Sequence, residues 1–170
     1  MNTIIILASS RNPGNTAYIA DRIVEKTGAE LVDIGSKSVG YYDYAARNQS
    51  DDYQGIVDRM LEADTIIFAS PVYWFTMSAQ MKTFFDRFTD LITVRKEAGR
   101  ELAGKKAYLL ISGSEPELPA GFEEPFQLTF EYFNMSYMGN VYCYFIKSKE
   151  PDENVEPDLA QFIEELNSAD

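Results

Sequence analysis

Two short stretches carry the residues whose types and spacing could do chemistry. The first is Ser9-Ser10-Arg11-Asn12-Pro13-Gly14-Asn15-Thr16, which runs directly into a helical pattern. It offers hydroxyls, a guanidinium, a turn that Gly14 permits and main-chain N–H groups at a helix start. Those are the parts of a phosphate cradle. A guanidinium grips a phosphate through two parallel hydrogen bonds, so Arg11 is the natural clamp. The stretch is neither GxGxxG nor GxxxxGK[ST], which disfavours a dinucleotide Rossmann site or a P-loop. The second stretch is Ala69-Ser70-Pro71-Val72-Tyr73-Trp74-Phe75-Thr76. Aromatics beside a helix start suit a flat heteroaromatic ring. The helix dipole there favours negative charge, such as a ring gathers on reduction. Tyr73, Trp74 and Phe75 read equally well as core or subunit-contact aromatics.

What the chain lacks narrows the chemistry. It has no histidine, which removes Ser-His-Asp hydrolysis, Cys-His proteolysis and histidine-ligated metals. Cys143 is its single cysteine, so no internal disulfide, CxxC pair or multi-cysteine metal site can form. No metal site and no catalytic acid–base constellation is expected. The formal net charge of −12 argues against nucleic-acid and membrane-surface partners. The apolar run at residues 3–8 has no basic stretch before it and is too short for a signal peptide or a spanning helix. The expected location is the cytoplasm.

The elements that must position these loops follow from periodicity. At 170 residues and 45% hydrophobic content, one domain spanning 1–170 with its own core is expected. Apolar runs predict strands over residues 3–8, 30–34, 65–69, 106–112 and 137–146. Helical spacing predicts helices at 15–26, from about Tyr53 to Leu61, from 78 to 91, around Phe122 to Phe133, and around Leu159 to Leu166. Asp51 or Asp52 is placed to cap the second helix. Alternation of five strands with five helices implies an α/β fold with a five-stranded parallel sheet and helices on both faces. Ligands in such sheets bind at the carboxyl edge, in the loops that follow the strands.

The two loops together, with the helical run ending Lys82-Thr83-Phe84-Phe85-Asp86-Arg87, resemble those of the flavodoxin-like NAD(P)H-dependent FMN reductases, a group that includes quinone reductases and multimeric flavodoxins. The likeness covers roughly residues 1–145 in element order. It implies a flavodoxin-like three-layer sandwich that binds FMN. Ser9, Arg11, Asn15 and Thr16 would hold the phosphate. Pro71, Val72, Tyr73, Trp74 and Phe75 would frame the isoalloxazine, and Gly113 would let the backbone approach the ring's other side. Some relatives carry a cysteine-rich iron–sulfur segment before the second helix. Here that stretch is Tyr41-Tyr42-Asp43-Tyr44-Ala45-Ala46-Arg47-Asn48, so a cluster is excluded. These tyrosines could cover the flavin, meet a partner subunit or form a surface loop without a role.

The resemblance thus implies an oxidoreductase that passes hydride from NAD(P)H to FMN and electrons on to a quinone, free flavin or similar acceptor. Its partners would be the nicotinamide nucleotide and a small-molecule acceptor. A homodimer or higher homo-oligomer is expected, with the phenylalanines of the 78–91 helix contributing. The alternative is a non-enzymatic flavodoxin-type electron carrier, whose acidity would steer docking on redox proteins. A third reading is an FMN-binding regulatory or storage module. Lys82 and Asp86, four residues apart, read as a structural ion pair, and Cys143 as an inert core residue.

Overall fold

The apolar runs become strands whose alternate residues feed two separate cores. A computed structural model describes residues 2–147 and 150–168. Its strands are β1 (Thr3–Leu7), β2 (Glu30–Asp33), β3 (Thr65–Pro71), β4 (Lys106–Gly113), β5 (Ser136–Lys147) and β6 (Glu150–Pro151). Its helices are α1 (Asn15–Thr27), α2 (Tyr53–Glu62), α3 (Ala79–Asp86), α4 (Asp90–Thr93), α5 (Lys96–Glu101), α6 (Glu124–Tyr132) and α7 (Val155–Ser168). The sheet order is β2-β1-β3-β4-β5-β6. The first five strands pair in parallel and β6 is antiparallel to β5.

Ile4, Ile6 and Ala8 face the core shared with α2, α3 and α6, while Ile5 and Leu7 face the one shared with α1 and α7. That is the period-two alternation of a strand buried on both sides. All seven residues of β3 are buried. The α3–α6 side is filled by phenylalanines: the Phe85 and Phe126 rings lie 5.0 Å apart, and Phe88 and Phe133 5.4 Å. Phe84, Phe85 and Phe88 are 0%, 8% and 3% exposed, so these side chains belong to the protein's own core and not to a subunit surface.

The structure corrects two expectations and adds a helix that none announced. The sheet is mixed and six-stranded, not five-stranded and parallel. The chain doubles back after β5 through a polar segment without an apolar run, so periodicity carries no sign of β6; residues 148 and 149 of that connector lie outside the described residues. The helix expected over 78–91 stops at Asp86, passes through a 3₁₀ turn at Arg87–Thr89 and resumes as α4. The break falls where the Arg87 side chain turns inward to bond Asp90 and Asp51. Helix α5, polar and containing Gly99, lacks the apolar stripe that would announce it.

Of the two acids expected to cap α2, Asp51 meets the helix start and Asp52 does not. Asp52 holds the N-cap position without a side-chain cap bond, and its carboxylate instead accepts from the Ser38 N–H at 2.7 Å. Asp51 accepts from the Gly40 N–H at 2.8 Å and from Arg87 at 2.5 Å. Asp51 also accepts through its other oxygen from the Tyr53 N–H, the first of α2, at 3.1 Å, so it caps the helix while bracing the segment before it. No helix among the described residues is long and apolar enough to cross a membrane.

Candidate functional site

At the carboxyl edge the loops after β1, β3 and β4 converge on a cavity of about 230 Å³. The first loop supplies Ser9, Arg11, Gly14, Asn15 and Thr16; the second supplies Pro71, Val72 and Tyr73; and Ser112, Gly113 and Ser114 close the third side. All four phosphate-site residues expected from the sequence meet here, as does Gly113.

The first loop is held open toward the cavity. The Ser9 hydroxyl accepts from the Arg11 N–H at 3.4 Å and donates to the Arg11 carbonyl at 3.2 Å, curling the chain. A Cβ on Gly14 would lie 2.7 Å from the Arg11 carbonyl oxygen, so the turn requires glycine. The Asn12 amide donates to Asp33 at 2.6 Å and ties the loop to the end of β2. Helix α1 starts without a side-chain cap bond and without an acid in its first turn, which leaves its positive end to an anion. Arg11 is exposed and takes part in no ion pair among the described residues. The Thr16 hydroxyl is buried and lies 2.8 Å from that of Ser112.

The second loop is pinned at both ends. The Val72 N–H donates to the Ser112 carbonyl at 2.8 Å. Ser78 caps α3 by accepting from the Met81 N–H at 3.1 Å, and its hydroxyl donates to the Ala8 carbonyl at 2.8 Å. Between them Tyr73 and Thr76 exchange main-chain bonds of 2.9 and 3.2 Å around a tight turn. The two central residues, Trp74 and Phe75, have φ of 48° and 69°. Such a turn ordinarily recruits Asn and Gly. Trp74 is 91% exposed and Phe75 68%. Of the residues expected to frame a ring, Pro71, Val72 and Tyr73 line the cavity, while Trp74 and Phe75 stand on the turn outside its lining.

Gly113 has a protein neighbour that the sequence does not reveal. A Cβ there would meet the Tyr142 hydroxyl at 2.1 Å and two ring carbons at 2.9 Å. Burial raises the Tyr142 phenol above its ordinary range. Its hydroxyl donates to the Glu115 carbonyl at 2.6 Å and so braces the loop after β4.

Sequence reasoning missed Ser112, Ser114 and Gly14 as lining residues. Ser112 adjoins the predicted Gly113, and its place at the end of a buried strand was the available signal. The other titratable candidates lie elsewhere. Lys82 and Asp86 pair at 2.5 Å on the surface. Arg87, fully buried, bonds Asp51, Asp90 and the Gly40 carbonyl and lies 4.5 Å from the Tyr53 ring centre. Burial pushes the Cys143 thiol up to about 12, which leaves it unreactive at neutral pH. Tyr41 and Tyr44 are 83% and 95% exposed. A larger cavity of about 390 Å³ lies between α4, α5 and the end of α6, at the amino edge, and contains none of the predicted residues.

Hydroxyls, a guanidinium and an uncapped helix start suit the phosphate of FMN, and the same cavity continues to Pro71, Tyr73 and a strand end without a side chain. The residues present fit the cofactor. The family model described as NADPH-dependent FMN reductase matches residues 1–150. A Bacillus subtilis protein named as an NAD(P)H-dependent FMN-containing oxidoreductase is 27% identical over 151 residues, 83% of each chain. An FMN-dependent NADH:quinone oxidoreductase of Burkholderia thailandensis is 30% identical over 132 residues, 70% of this chain and 65% of that one. Among solved structures, the Trp repressor binding protein of Bacillus subtilis superimposes with a TM-score of 0.75 over 94% of both chains at 24% identity, a likeness of fold. A match across residues 1–150, joined to a fold and a cavity of the same kind, establishes that the chain belongs to the NADPH-dependent FMN reductase family.

Proposed function

We propose that the protein is an FMN-dependent oxidoreductase that draws electrons from NAD(P)H and delivers them to a quinone or similar small acceptor. The observation that carries this reading is the single cavity joining the Ser9–Thr16 loop to Pro71, Val72, Tyr73 and Gly113. Bound FMN supplies the electron-transfer chemistry, which is why no imidazole or acid–base pair is required of the protein. The chain's own residues bind and orient. Arg11 and the start of α1 would neutralise the phosphate, Asn15 and Thr16 would donate to its oxygens, and Ser9 holds the Arg11 main chain in place through its hydroxyl. Pro71, Val72 and Tyr73 set the plane of the ring, and the exposed Trp74–Phe75 turn borders it. The quinone acceptor is supported by the name of the Burkholderia relative.

The net charge of −12 supports a second reading, an electron carrier that docks on redox proteins. The two separate in one experiment. The flavin-loaded protein is mixed anaerobically with NADH or NADPH and the flavin absorbance is followed by stopped flow. Bleaching within seconds, followed by reoxidation on adding a quinone, is expected of the enzyme. Bleaching slower than about once per minute, well below ordinary turnover, with rapid reduction by a reductase protein, would establish the carrier.

A further inference from the structure

The buried contact between Thr16 and Ser112 joins two loops that lie 96 residues apart in sequence. Thr16 is 1% exposed and Ser112 3%, and both line the cavity. Ser112 sits in a rigid frame. It pairs with Pro71 of β3 on one side and Cys143 of β5 on the other, and its carbonyl accepts from Val72. Two hydroxyls bring two protons to such a contact. One proton makes the bond between them, and the other must find an acceptor. The cavity they line is the place for one, and a phosphate oxygen is an acceptor only.

We propose that Ser112 is a positioning residue for the FMN phosphate: it donates to Thr16, which leaves the Thr16 proton to point at a phosphate oxygen. This rests on the reading of Thr16 as a phosphate ligand. Held in this way, Thr16 has one rotamer and one proton direction before the ligand arrives, and a donor that is itself accepting a hydrogen bond is polarised and binds an anion more strongly. The opposite polarity, with Thr16 donating to Ser112, would spend the Thr16 proton inside the pair and leave Ser112 as the only outward donor. An anion at the α1 start selects the first arrangement, because α1 carries Thr16 in its first turn.

The test compares FMN with riboflavin, which lacks the phosphate. Full-length protein stripped of flavin is titrated with each ligand and flavin fluorescence is followed, for wild type, Ser112→Ala, Thr16→Val and the double variant. Thermal melts without ligand check each fold, and Ser112→Cys, nearly isosteric with a weaker donor, serves where Ser112→Ala is unstable. Ser112→Ala is expected to weaken FMN about 5-fold and to leave riboflavin within twofold, with Ser112→Cys intermediate. In the Thr16→Val background the same substitution should change neither ligand. Equal loss of both ligands, no loss of FMN, or an undiminished effect in the Thr16→Val background would each overturn the role of Ser112. If wild type binds no FMN, or Thr16→Val fails to discriminate FMN from riboflavin, the phosphate site itself falls and the Ser112 role with it.

Discussion

Gly113→Ala separates two physical reasons for a glycine at the end of β4. One is the approach of a flavin ring to the backbone. The other is Tyr142, whose hydroxyl and two ring carbons would stand 2.1, 2.9 and 2.9 Å from the added Cβ. Contacts that short cannot be absorbed by small shifts, so the tyrosine must move. It is half-buried and can swing toward solvent, but it then loses its 2.6 Å bond to the Glu115 carbonyl and part of its packing. A net hydrogen bond contributes roughly 0.5–1.5 kcal/mol. Overpacking of a tight site costs about 1–3 kcal/mol. The two are alternatives in part, so Gly113→Ala should destabilise the flavin-free protein by about 2–3 kcal/mol. Urea unfolding without flavin measures this, because no ligand contributes there. In a Tyr142→Ala background the Gly113→Ala change should cost less than about 0.5 kcal/mol, since contacting residues couple and separated ones do not. If Gly113→Ala leaves the flavin-free stability unchanged, or costs as much in the Tyr142→Ala background as in the wild type, the Tyr142 explanation is wrong.

Other expectations follow from the same geometry. Arg87→Met should lower stability in urea by about 3–5 kcal/mol, because Asp51 and Asp90 are left buried without their cation. Arg11→Ala should weaken FMN by about 1.5–3 kcal/mol in equilibrium dialysis while sparing riboflavin, the mark of a charge-assisted phosphate contact. Trp74→Asn/Phe75→Gly should raise flavin-free stability by about 1–2 kcal/mol, since both residues hold φ values that Asn and Gly accept more readily. The Cys143 thiol is raised by burial from 9.0 to about 12 in the fold. The folded chain therefore holds that proton more tightly than the open chain, so this stabilisation is complete below pH 9 and is lost as pH rises toward about 12. Urea midpoints recorded across that range should fall less steeply for Cys143→Ala, and a thiol reagent at pH 8 should label native protein far more slowly than unfolded protein.

The amino-acid sequence by itself determined the alternation of strands and helices, the two loops that line the cavity and the exclusion of histidine and thiolate chemistry. Local physics suffices for these. Apolar runs such as Ile4-Ile5-Ile6-Leu7 have to be buried, and Gly14 before Asn15-Thr16 marks a turn into a helix whatever lies around it. Only the tertiary structure decided which residues meet. Ser112 reaches Thr16, and Tyr142 covers Gly113, because β4 lies beside β3 and β5 in a fixed register, and pairing register is not written in either segment alone. Asp51 and Asp52 have the composition of a helix cap; Asp51 meets the Tyr53 N–H of α2, but only the tertiary structure turns Asp52 to the Ser38 N–H and brings Gly40 and the buried Arg87 guanidinium to Asp51. Trp74 and Phe75 read by type as ring-binding, core or subunit-contact aromatics. Their left-handed turn sets them on the exposed side of the loop, a direction that backbone dihedrals decide and residue identity does not.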